Sequence, residues 1–180
     1  FGFNAGSALA AGETAGLAFL NTMVCAGAAV VGWLVVEQVR DGHPTSLGAA
    51  SGAVSGLVAI TPACAFVAPW GAVVLGLVAG AVCALAVSLK YRLGYDDSLD
   101  VVAVHLVGGV IGSLSIGFIA TERVGAEDGF LYGGGWSLLG DQLIGVGAVL
   151  VYSFVVTLVL AIALHKTIGL RVSEEQEVDG

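Results

Sequence analysis

The chain has 180 residues, of which 57% are hydrophobic and only 11% are charged. A soluble domain usually carries about a quarter charged residues to cover its surface, so the composition excludes a soluble globular protein. The formal net charge is −8, but the acidic residues belong largely to loops and to the C-terminal segment. The charge therefore identifies no partner, and we expect no nucleic-acid partner.

Long uncharged segments predict helices that cross a membrane. Three stretches contain no Asp, Glu, Lys, Arg or His: residues 14–36, 44–89 and 142–164. About 20 apolar residues cross a bilayer as a helix, and the middle stretch is long enough for two crossings, with breaks at Thr61–Pro62 and Pro69–Gly71. A further segment from about Leu99 to Ala120 gives five spans. Because the segments are continuously apolar, they predict an all-α membrane protein rather than a barrel.

The basic residues predict the orientation of the chain. Five of the 6 basic residues fall on one side when the chain is threaded through five spans: Arg40, Lys90, Arg92, Lys166 and Arg171. Positive residues are enriched on the cytoplasmic side of membrane proteins. We therefore predict a multi-pass protein of the cell membrane, with a transmembrane bundle over residues 1–170, a cytoplasmic tail over 171–180 and Phe1 outside.

The sequence shows neither cysteines at the spacing of metal ligands nor a catalytic motif, so we do not expect an enzyme. Cys25, Cys64 and Cys83 all lie in hydrophobic segments without the spacing of metal ligands, so we expect small core residues and no metal or cofactor. No nucleophile, base and orienting group occur together at a usable spacing. Glycines instead recur at helical spacing and predict close helix packing: Gly48, Gly52, Gly56, Gly76, Gly80, Gly108 and Gly112.

The stretch DDSLDVVAVHLVGGVIGS, residues 96–113, combines acidic residues with a histidine inside an apolar helix. We expect Asp97 to cap the helix start and Asp100 to lie in its first turn. His105 follows roughly 7 to 8 Å deeper along the helix. Because burial disfavours the imidazolium, we expect a neutral ring that relays a proton or holds a small polar molecule.

The alternative for His105 is a packing residue bonded to a neighbouring helix. Inside a bilayer an ionisable side chain is a functional-site hypothesis by default, so we favour the functional interpretation. Gly108, Gly109 and Gly112 lie three, four and seven residues further on. We expect these glycines to share the face of His105 and to leave room beside its ring.

Four segments, in this order, resemble the ammonium transporter and Rhesus protein family: FGFNAGSA at 1–8, LGAASGAVSGLVAITPAC at 47–64, DDSLDVVAVHLVGGVIG at 96–112 and GLRVSEEQEVDG at 169–180. The resemblance implies a homotrimer with eleven helices per subunit. This chain would hold the end of the sixth helix and the seventh to eleventh helices. It would lack the first half of the pore, including a first pore histidine on the fifth helix.

The resemblance also implies roles for individual residues. His105 matches the second pore histidine, Phe3 matches one of two phenyl rings that close the outer mouth, and Ser7 matches the hydroxyl that recruits ammonium. Leu106 departs from the family pattern, which has Gly directly after the histidine. The tail would contact a neighbouring subunit, and the family's cytoplasmic partner is a PII-type signalling protein.

The function implied is transport of ammonium through a narrow hydrophobic pore. Ammonium would be held by Ser7 and aromatic faces, lose its proton and cross as ammonia beside His105. Potassium has no proton to give up and would be excluded. Two alternatives stay open: a sensor or scaffold of the same fold with little conduction, and a channel for another small neutral solute such as urea or carbon dioxide.

Overall fold

The structure, a computed structural model, describes residues 1–179; Gly180, the last residue of the predicted tail, lies outside the described residues. The α-helices within that range are α1 (Gly2–Gly6), α2 (Glu13–Asp41), α3 (Ser46–Ile60), α4 (Pro69–Ala86), α5 (Leu89–Leu93), α6 (Gly108–Ile119), α7 (Ser137–Thr167) and α8 (Glu174–Asp179). A π-helical turn, Val102–Val107, leads into α6, and two 3-10 turns, Glu122–Val124 and Phe130–Tyr132, lie between α6 and α7.

The helical membrane fold predicted from the sequence is confirmed. Among the described residues, four helical segments are long and apolar enough to cross a membrane: Glu13–Asp41, Pro69–Leu93, Val102–Ile119 and Ser137–Thr167. The remaining predicted span, α3, has only 15 residues and is about 22 Å long. It is thus shorter than a hydrocarbon core of about 30 Å, and turns over residues 61–66 continue the chain beyond it.

Prolines set both ends of the connection between α3 and α4, and the predicted breaks are confirmed. α3 ends at Ile60, two residues before Pro62, which has no N–H to continue the helix. α4 begins at Pro69, because proline is well suited to the first helical position. We call residues 61–68 the α3–α4 segment.

The α3–α4 segment is also bonded to the connection that follows α6. The Thr121 amide donates a hydrogen bond to the Phe66 carbonyl at 3.1 Å, and Val67 and Ala120 form an isolated antiparallel bridge. Thr121 is buried, with 1% of its surface exposed. The segment is therefore a fixed part of the fold even though it is not helical.

The chain divides into two compact units. The first, Phe1–Leu143, contains α1 to α6 and the start of α7, and the second begins at Ile144. In the first unit α2 packs against α3 and α4, and α6 packs against both α3 and α4. The buried residues are mostly small, with Cys25, Ala29 and Ala59 fully covered. The second unit consists of the remainder of α7 and of α8.

Glycines allow the helices of the first unit to touch through their backbones, as predicted. A methyl group on Gly76 would overlap the Cys25 carbonyl oxygen, and one on Gly80 would overlap that of Ala29. On α3, a methyl group on Gly52 would lie 2.8 Å from the Trp33 Cβ. These glycines are therefore close-packing residues.

Two glycines of α6 provide a matched test of this packing. Gly112→Ala is expected to lower the free energy of unfolding by about 1–3 kcal/mol, because the new methyl group collides with the Ala59 carbonyl of α3. Gly109→Ala is the control, since no described residue of another helix lies within 4 Å of its added methyl group. Thermal unfolding in detergent measures both, and an equal loss in the two variants would contradict the packing assignment.

A buried carboxylate joins the end of α2 to the start of α3. Glu37, with 7% of its surface exposed, accepts hydrogen bonds from the Trp33 Nε1 at 3.1 Å and from the Thr45 amide at 2.8 Å. The Thr45 hydroxyl oxygen in turn accepts the Gly48 amide at 2.8 Å, as an N-cap of α3. Glu37 therefore holds Thr45, the residue that caps α3, and fixes the α2–α3 turn.

Candidate functional site

A pocket of about 290 Å³ lies between α1, the start of α2 and the α3–α4 segment. We call it the α1 pocket. Its lining residues are Phe3, Asn4, Ser7, Ala8, Thr14, Ala18, Thr61, Cys64, Ala65 and Phe66. Two of the residues predicted to act on ammonium, Phe3 and Ser7, thus lie in one cavity. The cavity is mainly apolar, with three hydroxyl-bearing residues among its lining.

The short helix α1 is held against α2 by a polar and an aromatic contact. The Asn4 Nδ2 donates a hydrogen bond to the Thr22 Oγ1 at 3.0 Å. The rings of Phe1 and Phe19 lie with centroids 5.0 Å apart, within the range of favourable aromatic pairs. These contacts fix the helix that carries Phe3 and Ser7.

The hydroxyl groups of the α1 pocket are prepared to accept hydrogen bonds. The Ser7 Oγ donates its hydrogen to the Phe3 carbonyl at 2.7 Å, and the Thr61 Oγ1 donates to the Leu57 carbonyl at 2.7 Å. Because each hydrogen is used within the chain, the oxygen lone pairs remain to accept N–H groups. Such oxygens can accept hydrogen bonds from a small cation that carries N–H donors.

Aromatic side chains border the same pocket. Phe3 has 80% of its surface exposed and Phe66 has 44%. The face of a phenyl ring attracts a cation within about 6 Å of its centroid. These two rings and the Ser7 hydroxyl oxygen line the same pocket.

The acidic residues before His105 hold the start of its helix. The two Asp97 carboxylate oxygens accept the amides of Val101 at 2.8 Å and Val102 at 2.9 Å. Asp100 adopts a left-handed backbone with φ of 56°, and its Oδ1 accepts a hydrogen bond from the Lys90 Nζ at 2.6 Å. The Lys90 ion pair therefore connects α5 to the segment that leads to His105.

His105 lies in the π-helical turn Val102–Val107. Its side chain is exposed on the surface of the chain, and no hydrogen bond joins it to another described residue. The expected enclosure of the ring is therefore not found within the described residues. π-helical turns inside α-helices are frequent at functional sites, and this one sets the direction of the His105 side chain.

The glycines expected to leave room beside His105 behave differently from one another. Gly112 packs against the Ala59 carbonyl, and a methyl group on Gly108 would lie 3.5 Å from the Cys83 Sγ. Only Gly109 faces open space. The prediction was therefore wrong for Gly108 and Gly112, because α3 and α4 occupy the positions that these glycines leave free.

The structure thus brings Phe3 and Ser7 together but does not include His105 in their pocket. Sequence reasoning missed Asn4, Thr14 and the lining role of Thr61. Thr61 carried a signal as a residue next to a helix break, but the break alone did not predict that it would face α1. The neighbours of Asn4 and Thr14 depend on tertiary contacts that no local pattern reveals.

Comparisons with known proteins give a consistent result over the whole chain. A family model described as Ammonium Transporter Family matches residues 1–180. The chain is similar to an ammonium transporter of Mycobacterium tuberculosis, with 52% identity over 187 residues that cover 100% of this chain and 39% of that protein.

Two solved structures are similar in fold. The crystal structure of Saccharomyces cerevisiae Mep2 matches with a TM-score of 0.90 and 36% identity, covering 97% of this chain and 42% of that chain. A structure described as a sensor Amt protein matches with a TM-score of 0.88 and 32% identity, covering 99% of this chain and 44% of that chain. The chain therefore spans about two fifths of the length of the relatives it matches.

Proposed function

Because the chain belongs to the Ammonium Transporter Family, we propose that it forms part of a path that carries ammonium nitrogen across a membrane. The observation that carries the proposal is the α1 pocket, in which Phe3 and Ser7 meet. The chain is a multi-pass membrane protein, and its relatives are transporters rather than enzymes. We propose no catalytic, metal or cofactor role for it.

The first step is capture of ammonium in the α1 pocket. Ammonium has four N–H donors and a full charge, and the Ser7 oxygen accepts one donor while the Phe3 ring attracts the charge. The exposed Phe3 ring makes this pocket accessible to a cation from outside the chain. The pocket therefore concentrates ammonium at the entrance of the path.

The second step is transfer of a proton from ammonium to water at the pocket, before the apolar part of the path. A bare ammonium ion costs several kcal/mol to place in hydrocarbon, whereas ammonia carries no charge penalty. Ammonia then passes His105, whose exposed ring has no hydrogen-bond partner among the described residues and can exchange a proton or hold a polar molecule. Potassium cannot follow, because it has no proton to release.

The assembly that we propose is a homotrimer in the cell membrane, with Phe1 outside and the tail 171–180 in the cytoplasm. The distribution of basic residues supports this orientation. We further propose that the cytoplasmic face can bind a PII-type signalling protein, and that other residues supply the pore wall facing His105. Leu106, with 45% of its surface exposed, lies next to the histidine in the chain, and we assign it no role in transport.

A sensor is the second candidate function, because a sensor Amt protein shares the fold at 32% identity. In a sensor the α1 pocket would bind ammonium with little transfer across the membrane. The two functions differ in a single measurement, the uptake of labelled methylammonium per protein molecule. Uptake that saturates with concentration supports transport, whereas binding without uptake supports sensing.

Ser7→Ala tests the pocket as the capture site. In the natural protein reconstituted into liposomes, we expect the KM for methylammonium to rise by about tenfold, because one hydrogen bond to a charged donor is lost. The control is Ser115→Ala, since the Ser115 Oγ likewise donates to a carbonyl of its own helix, that of Gly112 at 2.6 Å. An unchanged KM in Ser7→Ala, or an equal rise in both variants, would contradict the capture site.

A further inference from the structure

Asn21 of α2 is completely buried, and its side-chain amide donates hydrogen bonds to the α3–α4 segment. Its exposed fraction is 0%. The Nδ2 donates one hydrogen bond to the Cys64 carbonyl and one to the Val67 carbonyl, each at 2.8 Å. These acceptors are 43 and 46 residues away in the sequence. One side chain therefore joins the first third of α2 to two points of a non-helical segment.

The remaining polar atom of Asn21 is buried without a partner in the described part of the chain, which lowers the stability of the fold. Its Oδ1 is buried and has no hydrogen-bond partner among the described residues. An apolar side chain of the same size would avoid that unpaired oxygen, but it would leave the Cys64 and Val67 carbonyls without the donors that Asn21 supplies. The two hydrogen bonds to the α3–α4 segment therefore explain why an amide side chain, rather than an apolar one, occupies this position.

The segment that Asn21 holds is one wall of the α1 pocket. Thr61, Cys64 and Phe66 line the pocket on this side, and Phe3 and Ser7 line it on the other. The opposite wall is tied to the next residue of α2, because the Asn4 Nδ2 of α1 donates to the Thr22 Oγ1. Neighbouring buried residues of α2 thus connect to both walls.

We propose that Asn21 is a positioning residue, which sets the width of the α1 pocket by fixing the α3–α4 segment at the distance from α1 that a small cation requires. Asn21 does not touch the cation and acts through Thr61 and Phe66. The part of this inference that concerns ammonium rests on the proposed function. The part that concerns the position of the segment does not.

Cys64 reports the position of the segment directly. It is 6% exposed, whereas Cys83 of α4 is fully buried and lies outside the pocket. In Asn21→Leu and Asn21→Asp, both lacking the amide donors, we expect N-ethylmaleimide to label Cys64 about tenfold faster, with Cys83 unchanged. Mass spectrometry of the two peptides from the full-length folded protein gives both rates. Trp33→Phe is the control for the Cys64 rate, because it removes one buried hydrogen bond elsewhere on α2; its Cys83 rate is not compared, since Trp33 and Cys83 belong to the same buried cluster.

The second experiment measures methylammonium uptake by the same variants in liposomes. We expect Asn21→Asp to raise the KM for methylammonium several-fold, with the maximal rate per folded molecule largely retained, and Trp33→Phe to leave the KM unchanged. The positioning role would be overturned if Cys64 labelling were unchanged or if Cys83 were labelled at a rate that rises together with that of Cys64. It would also be overturned if both Asn21 variants failed to give folded protein, or if the KM were unchanged. A wild-type protein that takes up no methylammonium would contradict the proposed function instead, and the Cys64 rates would still decide whether Asn21 fixes the segment.

Discussion

Replacing His105 by aspartate is expected to lower the preference of the natural protein for ammonium over potassium by about tenfold or more. An imidazole carries no negative charge that would attract a dehydrated cation. A carboxylate at the same place attracts any cation, so an ion that cannot release a proton gains a site in the path. Ion fluxes across liposomes containing the variant, with ammonium and potassium supplied in turn, measure the ratio.

Leu106→Ala is the control for the His105 variant, because Leu106 lies in the same π-helical turn and is also exposed. It alters the size of a side chain next to the histidine without introducing charge. We expect it to retain the preference for ammonium. A His105→Asp protein that assembles normally and keeps both its transport rate and its selectivity would contradict the role of His105 in the path.

Replacing Glu37 by alanine is expected to lower the free energy of unfolding by about 3 kcal/mol or more. The change leaves the Trp33 Nε1 and the Thr45 amide without their acceptor and opens a cavity at the start of α3. Thermal unfolding in detergent measures the loss. Glu13→Ala is the control on the same helix, because Glu13 is exposed and is expected to change stability by less than about 0.5 kcal/mol. Equal midpoints for the two variants would contradict this account of the α2–α3 turn.

The helices could be predicted from the sequence because charge, apolar length and proline act locally. Uncharged stretches located the spans, and Pro62 and Pro69 located the break between α3 and α4. The short length of α3 was not predicted. Its apolar sequence continues past Ile60, so composition alone could not separate a helix from the buried, non-helical α3–α4 segment.

The candidate site could be predicted only in part. The resemblance selected Phe3 and Ser7, and the structure adds that both line one pocket with Thr61 and Phe66. The partners of Asn21 lie more than 40 residues away, and such contacts leave no periodic pattern in a sequence. The free space expected at Gly108 and Gly112 was not found for a related reason, since α3 and α4 pack where the spacing suggested a gap.

The central claim is that the nitrogen species gives up its charge before it crosses, and one measurement tests it directly. Ammonium uptake is measured in liposomes containing the natural protein, with and without a large excess of potassium. We predict saturable uptake that potassium neither accompanies nor inhibits. Potassium entry through the protein, or competition by potassium at concentrations similar to ammonium, would contradict the account.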